Sequence, residues 1–193
     1  MKLIFATGNA GKLREARDIL SGIEVLCPKD LGIVDDVEET GTTLKENSII
    51  KAEALYKATG LDCFADDTGL EVEALGGAPG IYSARYAGPG HDFDANISKL
   101  LAELDGQENR RARFRCVVTL ILGGEKHFFE GVMNGRIALE RSGTKGFGYD
   151  PVFIPDEAPD RTLAEAGEET KNAISHRGKS LREMARYLEE LSR

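Results

Sequence analysis

Four short segments of this 193-residue chain hold polar and glycine residues more densely than a packed core tolerates. The first, Thr7-Gly8-Asn9-Ala10-Gly11-Lys12, stands where an apolar run gives way to a helical pattern. Free amides at a helix start, beside a lysine and small residues, let a phosphate approach closely. A plain cap by Asn9 explains the same residues, and the spacing is not that of a G-x-x-x-x-G-K-[ST] loop. The second, Asp66-Asp67-Thr68-Gly69, puts two carboxylates side by side at a strand end. Neighbouring strand residues alternate faces, so one can point into a cleft while backbone donors anchor the other. Carboxylates are the hard oxygen ligands that Mg²⁺ selects, and either could act as a general base. A solvated turn is the competing account. Glu38 and Glu39 could add a ligand or could be ordinary surface charge.

The third segment is Gly146-Phe147-Gly148-Tyr149-Asp150-Pro151. Glycines on both sides of an aromatic expose a ring face together with backbone groups, a platform for a planar base. A tight loop with Phe147 in the core fits equally. The fourth runs from Lys171 to Arg177, where Lys171, His176 and Arg177 concentrate donors in an otherwise acidic chain; a solvated helix end would also explain them. Other chemistries lack their signatures. His91 and His127 have no matching ligand spacing. Cys27, Cys63 and Cys116 are odd in number, far apart and without C-x-x-C, so they read as small buried apolar residues. No G-x-S-x-G elbow exists, and Ser83 and Ser175 lack the surroundings of an activated nucleophile.

These segments need elements to carry them. KLIFAT predicts a strand running into the first segment, and Leu13, Ala16, Ile19 and Leu20 predict a helix closed by Ser21-Gly22. Thr43-x-x-Glu46 is a capping-box pattern. It opens a long helix, given by Leu44, Ile50, Ala54, Leu55 and Ala58, that runs to about Thr59 and is ended by Gly60. A strand from near Leu61 carries the acid pair, and LEVEAL continues as extended chain. GGAPGIYSARYAGPG reads as loop. A helix follows around Ile97, Leu100, Leu101 and Leu104. Arg111–Leu122 and Lys126–Leu139 read as strands joined at Gly123-Gly124, hence antiparallel neighbours. GFGYDPVFIP turns into a short strand, residues 164–174 make one or two short helices, and Lys179–Leu191 is the last helix. The pattern predicts an α/β protein, a mixed sheet flanked by helices.

Composition bounds the rest. Lys and Arg number 25 against 33 Asp and Glu, a net charge of −8, with 41% hydrophobic and 30% charged residues. Collagenous, disordered and disulfide-dense chains are excluded, and so is a broad basic surface for coating nucleic acid. No apolar run reaches the roughly 20 residues that span a bilayer, and the start turns polar too early for a signal peptide. A single domain over residues 1–193, long enough for two lobes around a cleft, in the cytoplasm, is the expectation.

Together TGNAGK, ADDTGLEVEALGGAPGIYSARYAG, GFGYDPVFIP and KNAISHRGKS resemble the inosine triphosphate pyrophosphatase family, over nearly the whole chain and in the family's order. The resemblance implies an elongated α/β fold with the active site in a cleft between two lobes, a homodimer, and Mg²⁺-dependent hydrolysis of ITP, dITP and XTP to monophosphate and pyrophosphate. It implies that Thr7, Gly8, Asn9, Ala10, Gly11 and Lys12 hold the triphosphate, with Lys51 approaching phosphate. Asp67 becomes general base and metal ligand, and Glu39 shares the metal. Phe147, Gly148, Tyr149 and Asp150 hold the nucleoside, Phe147 by stacking. Lys171, His176 and Arg177 line the base pocket, with Arg177 or His176 donating to a 6-keto oxygen. Thr68 stands where many relatives have Ser and keeps the hydroxyl. Two rivals remain open: a Maf-type pyrophosphatase acting on modified or pyrimidine triphosphates, and a nucleotide-binding module that does not cleave.

Overall fold

Short apolar runs with no polar alternation, such as Leu3-Ile4-Phe5 and Cys63-Phe64-Ala65, are what strands buried on both faces look like. In the computed structural model, which describes residues 1–193, they lie side by side. Strand β1 (Lys2–Phe5) pairs parallel with β2 (Glu24–Leu26) and with the start of β3 (Cys63–Val72). The chain adds β4 (Pro79–Gly80), β5 (Arg111–Leu122), β6 (Glu125–Ile137) and β7 (Phe153–Pro155). The mixed sheet runs β2-β1-β3-β5-β6-β7, with β4 on β3. The helices are α1 (Ala10–Ile19), α2 (Leu44–Thr59), α3 (Phe93–Glu103), α4 (Leu163–Ala166), α5 (Glu168–Ile174) and α6 (His176–Leu191).

The chain divides into two units. The first comprises residues 1–67, 116–131 and 177–193. Here strand alternation sends Leu3, Phe5 and Phe64 to one face, where they pack with Ala16 and Leu20 of α1 and Leu181, Met184 and Leu188 of α6. Ile4, Cys63 and Ala65 go to the other, against Ala52 and Leu55 of α2. Both faces are thus dry, which explains the unbroken apolar runs. Helix α1 starts on an Asn9 cap, and α2 runs between Thr43 and Gly60 as its spacing predicts.

The second unit comprises residues 68–115 and 132–176. Its part of the sheet has β4 antiparallel on β3 and β7 antiparallel on β6. Leu70, Val72, Phe114, Met133 and Ile137 face α3, whose Ile97 and Leu100 complete the core. The alternate positions Glu71, Arg113 and Arg115 form a charged ladder, Arg113 Nε lying 2.7 Å from Glu71. One face is covered and one is wet, so these segments alternate in sequence. The β5–β6 turn is Gly123-Gly124, both at positive φ (57° and 88°), as a two-residue hairpin of matching twist requires.

The structure departs from the pattern in several places, among them Glu73–Leu75, a short helical turn where LEVEAL reads as extended chain. Strand β1 stops at Phe5, and Glu24–Leu26 forms a strand too short for periodicity to reveal. The acid pair lies inside a continuous ten-residue strand, not at a strand end. The glycine-rich stretch after it contains β4 and a short helical turn, Ser83–Arg85. In α2 Leu44 and Leu55 are buried, Ile50 and Ala54 are partly buried and Ala58 is exposed, while Asn47, Ser48 and Ala52 also turn inward; Ser48 and Thr119 hydroxyls meet at 2.7 Å, so polar groups serve part of the buried face. The Thr43 box is half made: Thr43 Oγ1 accepts from Glu46 N–H, but the Glu46 carboxylate accepts from Thr42. Helix α6 begins at His176, three residues early.

Candidate active site

Asp66 and Asp67 are neighbours on β3, so their side chains leave opposite faces of the strand. Asp66 enters a closed charge chain. Lys12 Nζ lies 3.0 Å from its Oδ1, and Arg177 Nε donates to its Oδ2 at 2.9 Å. Arg177 Nη1 then pairs with Glu15. All but Lys12 are nearly inaccessible, Arg177 being 2% exposed. Burial alone would raise the Asp66 carboxyl, but Lys12, Arg177 and Lys51 outweigh it and hold it well below the usual range. Burial would lower Arg177, and the Asp66 and Glu15 carboxylates reverse that.

Asp67 is handled differently. Its Oδ1 is 3.7 Å from Lys51 Nζ, which is also 3.4 Å from Glu39 Oε1. Its Oδ2 is buried and has no hydrogen-bond partner. Burial pushes this carboxyl up to about 6; Lys51 and Lys12 pull the other way, while the charges of Glu39 and Asp66 add to the rise. Lys51 would be lowered by burial, yet Asp67, Asp66 and Glu39 together hold it above the ordinary lysine range.

The donor set around Asp67 fits a hard divalent cation. Two carboxylates, one with a buried oxygen in need of a donor or a metal, face a partly open side, Glu39 being 25% exposed. No third His, Cys, Asp or Glu completes a cage. That suits Mg²⁺, which keeps waters and is held by one or two carboxylates plus substrate phosphates.

The Thr7–Lys12 segment forms both its cap and its opening. Asn9 N–H donates to Thr7 Oγ1 at 3.1 Å, and Asn9 Oδ1 accepts Lys12 N–H at 3.0 Å. The first-turn amides of Ala10 and Gly11 have no acceptor within the helix. At Gly8 a Cβ would meet nothing within 4 Å, so the chain just before the helix is open on that side.

In the second unit Phe147 is the organised group. Asp150 Oδ2 accepts both Phe147 N–H, at 3.0 Å, and Lys171 Nζ, at 2.7 Å. Lys171 Nζ lies 4.2 Å from the Phe147 ring centroid. Gly146 (φ 76°) allows this: a Cβ there would run into the Asp150 carboxyl. Tyr149, whose hydroxyl donates to Ser83 O at 2.6 Å, and Asp150, 3% exposed, are struts of the loop; Phe147 is half-buried and Gly148 follows at φ 60°. His176 stacks on Phe114 at 4.8 Å. Thr68 follows Asp67 on β3, half-buried.

The first unit therefore gathers Thr7–Lys12, Glu39, Lys51, Asp67 and Arg177, and the second gathers Phe147, Asp150, Lys171 and His176. The sequence reading gave no role to Glu15, although its place three residues after Lys12 and beside Ala16 puts it on the inner face of α1. It also gave none to Phe93, whose ring lies 6.3 Å from Phe147. Lys12, Lys51 and Lys171 are each already opposite a carboxylate: Lys12 on Asp66, Lys51 on Glu39 and Asp67, Lys171 on Asp150.

Residues 3–187 match the Ham1 family. The chain is 52% identical over 189 residues to a dITP/XTP pyrophosphatase of Porphyromonas gingivalis, covering 97% of each. It is 47% identical over 191 residues to one of Bacillus subtilis, covering 96% of each. Its fold matches the Ham1 protein of Staphylococcus aureus with a TM-score of 0.88 and 42% identity, over 98% of this chain and 99% of that one. A HAM1 protein from Coxiella burnetii gives 0.89 and 40%, over 98% and 99%. No helix is long and apolar enough to cross a membrane. Matched from near its first residue to near its last in sequence and in fold, the chain belongs to the Ham1 family.

Proposed function

We propose that this chain is a Mg²⁺-dependent pyrophosphatase that converts dITP, XTP and ITP to the monophosphate and pyrophosphate, as a homodimer in the cytoplasm. Kinship with dITP/XTP pyrophosphatases supports the reaction class. The observation that carries the chemistry is the unequal treatment of the two adjacent carboxylates: Asp66 is neutralised by two cations, while Asp67 keeps an unpartnered buried oxygen and a proton affinity near neutrality.

Glu39 and Asp67 would hold the cation. When bound, it screens the phosphate charges and stabilises the leaving pyrophosphate. A net charge of −8, with each nearby lysine already facing a carboxylate, makes such screening necessary for a triphosphate. Ala10 and Gly11 amides and Lys12 orient the phosphates at the start of α1. Asp67, ionised above about pH 6, takes a proton from water, with Lys51 Nζ 3.7 Å from its Oδ1. The water oxygen bonds to phosphorus, the bridge between the monophosphate and pyrophosphate parts breaks, and its electron pair leaves with pyrophosphate. Phe147 stacks on the base. A donor from His176 or Arg177 would favour a 6-keto oxygen, which accepts a hydrogen bond, over the adenine amino group, which does not.

The test is release of pyrophosphate against orthophosphate from ITP, XTP, dITP, ATP, GTP and dTTP, with and without Mg²⁺. Mg²⁺-dependent pyrophosphate from ITP, XTP and dITP, with little from ATP and GTP, is the expected result. Preference for dTTP would indicate a Maf-type specificity, and binding without product would refute catalysis.

A further inference from the structure

Asn47 is wholly buried in α2, one turn before Lys51, and none of the chemistry above employs it. Its Oδ1 accepts the backbone N–H of Gly41 at 2.8 Å, two residues beyond Glu39. That contact fixes the amide orientation, since only the oxygen can accept. Nδ2 is then left buried without a hydrogen-bond partner, a donor that the fold retains at a cost. The same stretch is clipped again just downstream: Thr42 N–H and hydroxyl donate to the Glu46 carboxylate at 2.6 and 3.0 Å. Gly41 fits so closely that a Cβ there would lie 2.6 Å from Asn47 Oδ1 and 2.7 Å from Glu46 Cβ.

Glu39 itself stands outside any helix or strand, a partly exposed carboxylate tied to Lys51 at 3.4 Å. Such a side chain keeps a fixed place only if its backbone does. Asn47 and Lys51, four residues apart, share one helix face. The first grips the loop's backbone and the second grips the loop's carboxylate.

We infer that Asn47 is a positioning residue: through Gly41 it sets the loop that presents Glu39, so that Glu39 and Asp67 meet a divalent cation as a ready-made pair. This rests on the cation-dependent reading above. Outer-shell contacts of this kind typically change metal affinity about 10–100-fold.

Mn²⁺ serves as the probe, titrated into the substrate-free protein and followed by loss of the free-ion EPR signal. Asn47→Ala is expected to weaken Mn²⁺ binding about tenfold or more. It should lower kcat at limiting Mg²⁺ and recover it at high Mg²⁺, a rescue that mere loss of stability would not give. Gly41→Ala, outside the helix, should weaken binding likewise and decides the matter if Asn47→Ala does not fold. Affinities within about twofold of wild type in the folded variants would overturn the inference. Glu39→Gln separates the two levels. If it weakens Mn²⁺ binding and the Asn47 and Gly41 variants do not, only the positioning role falls; if it has no effect either, the cation site falls and this inference with it.

Discussion

The two faces of β3 at its midpoint use the same residue type to opposite ends. On one, Asp66 has cations from α1 and α6 against both oxygens, and a second carboxylate, Glu15, completes the chain. On the other, Asp67 shares one lysine with Glu39 and keeps an unpartnered oxygen. Depth is nearly equal, 1% against 6% exposed, so burial alone does not separate them. The difference is satisfaction. A satisfied buried ion pair is held together by its own field, whereas an unsatisfied carboxylate is costly in the resting protein and ready for a proton or a metal.

The contrast can be broken most directly at Asp67. Asp67→Asn should lower turnover by roughly 10²–10⁴-fold while triphosphate still binds, read from pyrophosphate release beside equilibrium binding. Turnover near wild type would remove Asp67 as the base. On the other face, Arg177→Ala leaves Asp66 and Glu15 buried without their common partner. It should cost about 3–5 kcal/mol in denaturant unfolding, so any change in base selectivity must be read against lost fold. A smaller loss would mean that the chain relaxes into solvent.

The two carboxylates should also respond to pH with opposite signs. The folded Asp67 is raised from 3.8 to about 6, so what it contributes is complete below about 4 and lost as pH rises through about 6. Asp67→Asn should therefore be the more stable protein above pH 6, by up to about 3 kcal/mol, with the gain vanishing near pH 4. Asp66 is lowered, so its contribution is present above the ordinary carboxylate range and lost as pH falls below it; Asp66→Asn should be destabilised at neutral pH. Thermal melts from pH 2 to 8 measure both, and parallel curves for the two variants would erase the distinction. The smallest effect is at the helix that carries Lys51: Thr43→Ala removes the cap of α2 and should cost about 1 kcal/mol. Chemical denaturation checks it; no loss would mean that the Thr42 contacts to Glu46 suffice to start the helix.

Local patterns were legible because they rest on local physics. The caps at Asn9 and Thr43, the stop at Gly60, the Gly123-Gly124 hairpin and the antiparallel β5–β6 pair all follow from residues within one turn of each other. The three residues of β2 carry too little period to be seen, and the inward Asn47 and Ser48 contradict hydropathy because their partners, Gly41 N–H and Thr119 Oγ1, come from elsewhere.

The same division holds for the site. From the sequence alone come the family motifs, the adjacent acids, the glycine-framed Phe147 and the acidic balance. Strand alternation already separates Asp66 from Asp67, but it cannot say which is satisfied. That depended on Arg177 arriving 111 positions away and on Glu15 beside it, contacts that only the tertiary fold makes. It likewise turned Tyr149 and Asp150 into struts and left one Asp67 oxygen buried without a hydrogen-bond partner. A side chain's charge state is set by what surrounds it in space, and spacing along the chain records only the neighbours that local geometry enforces.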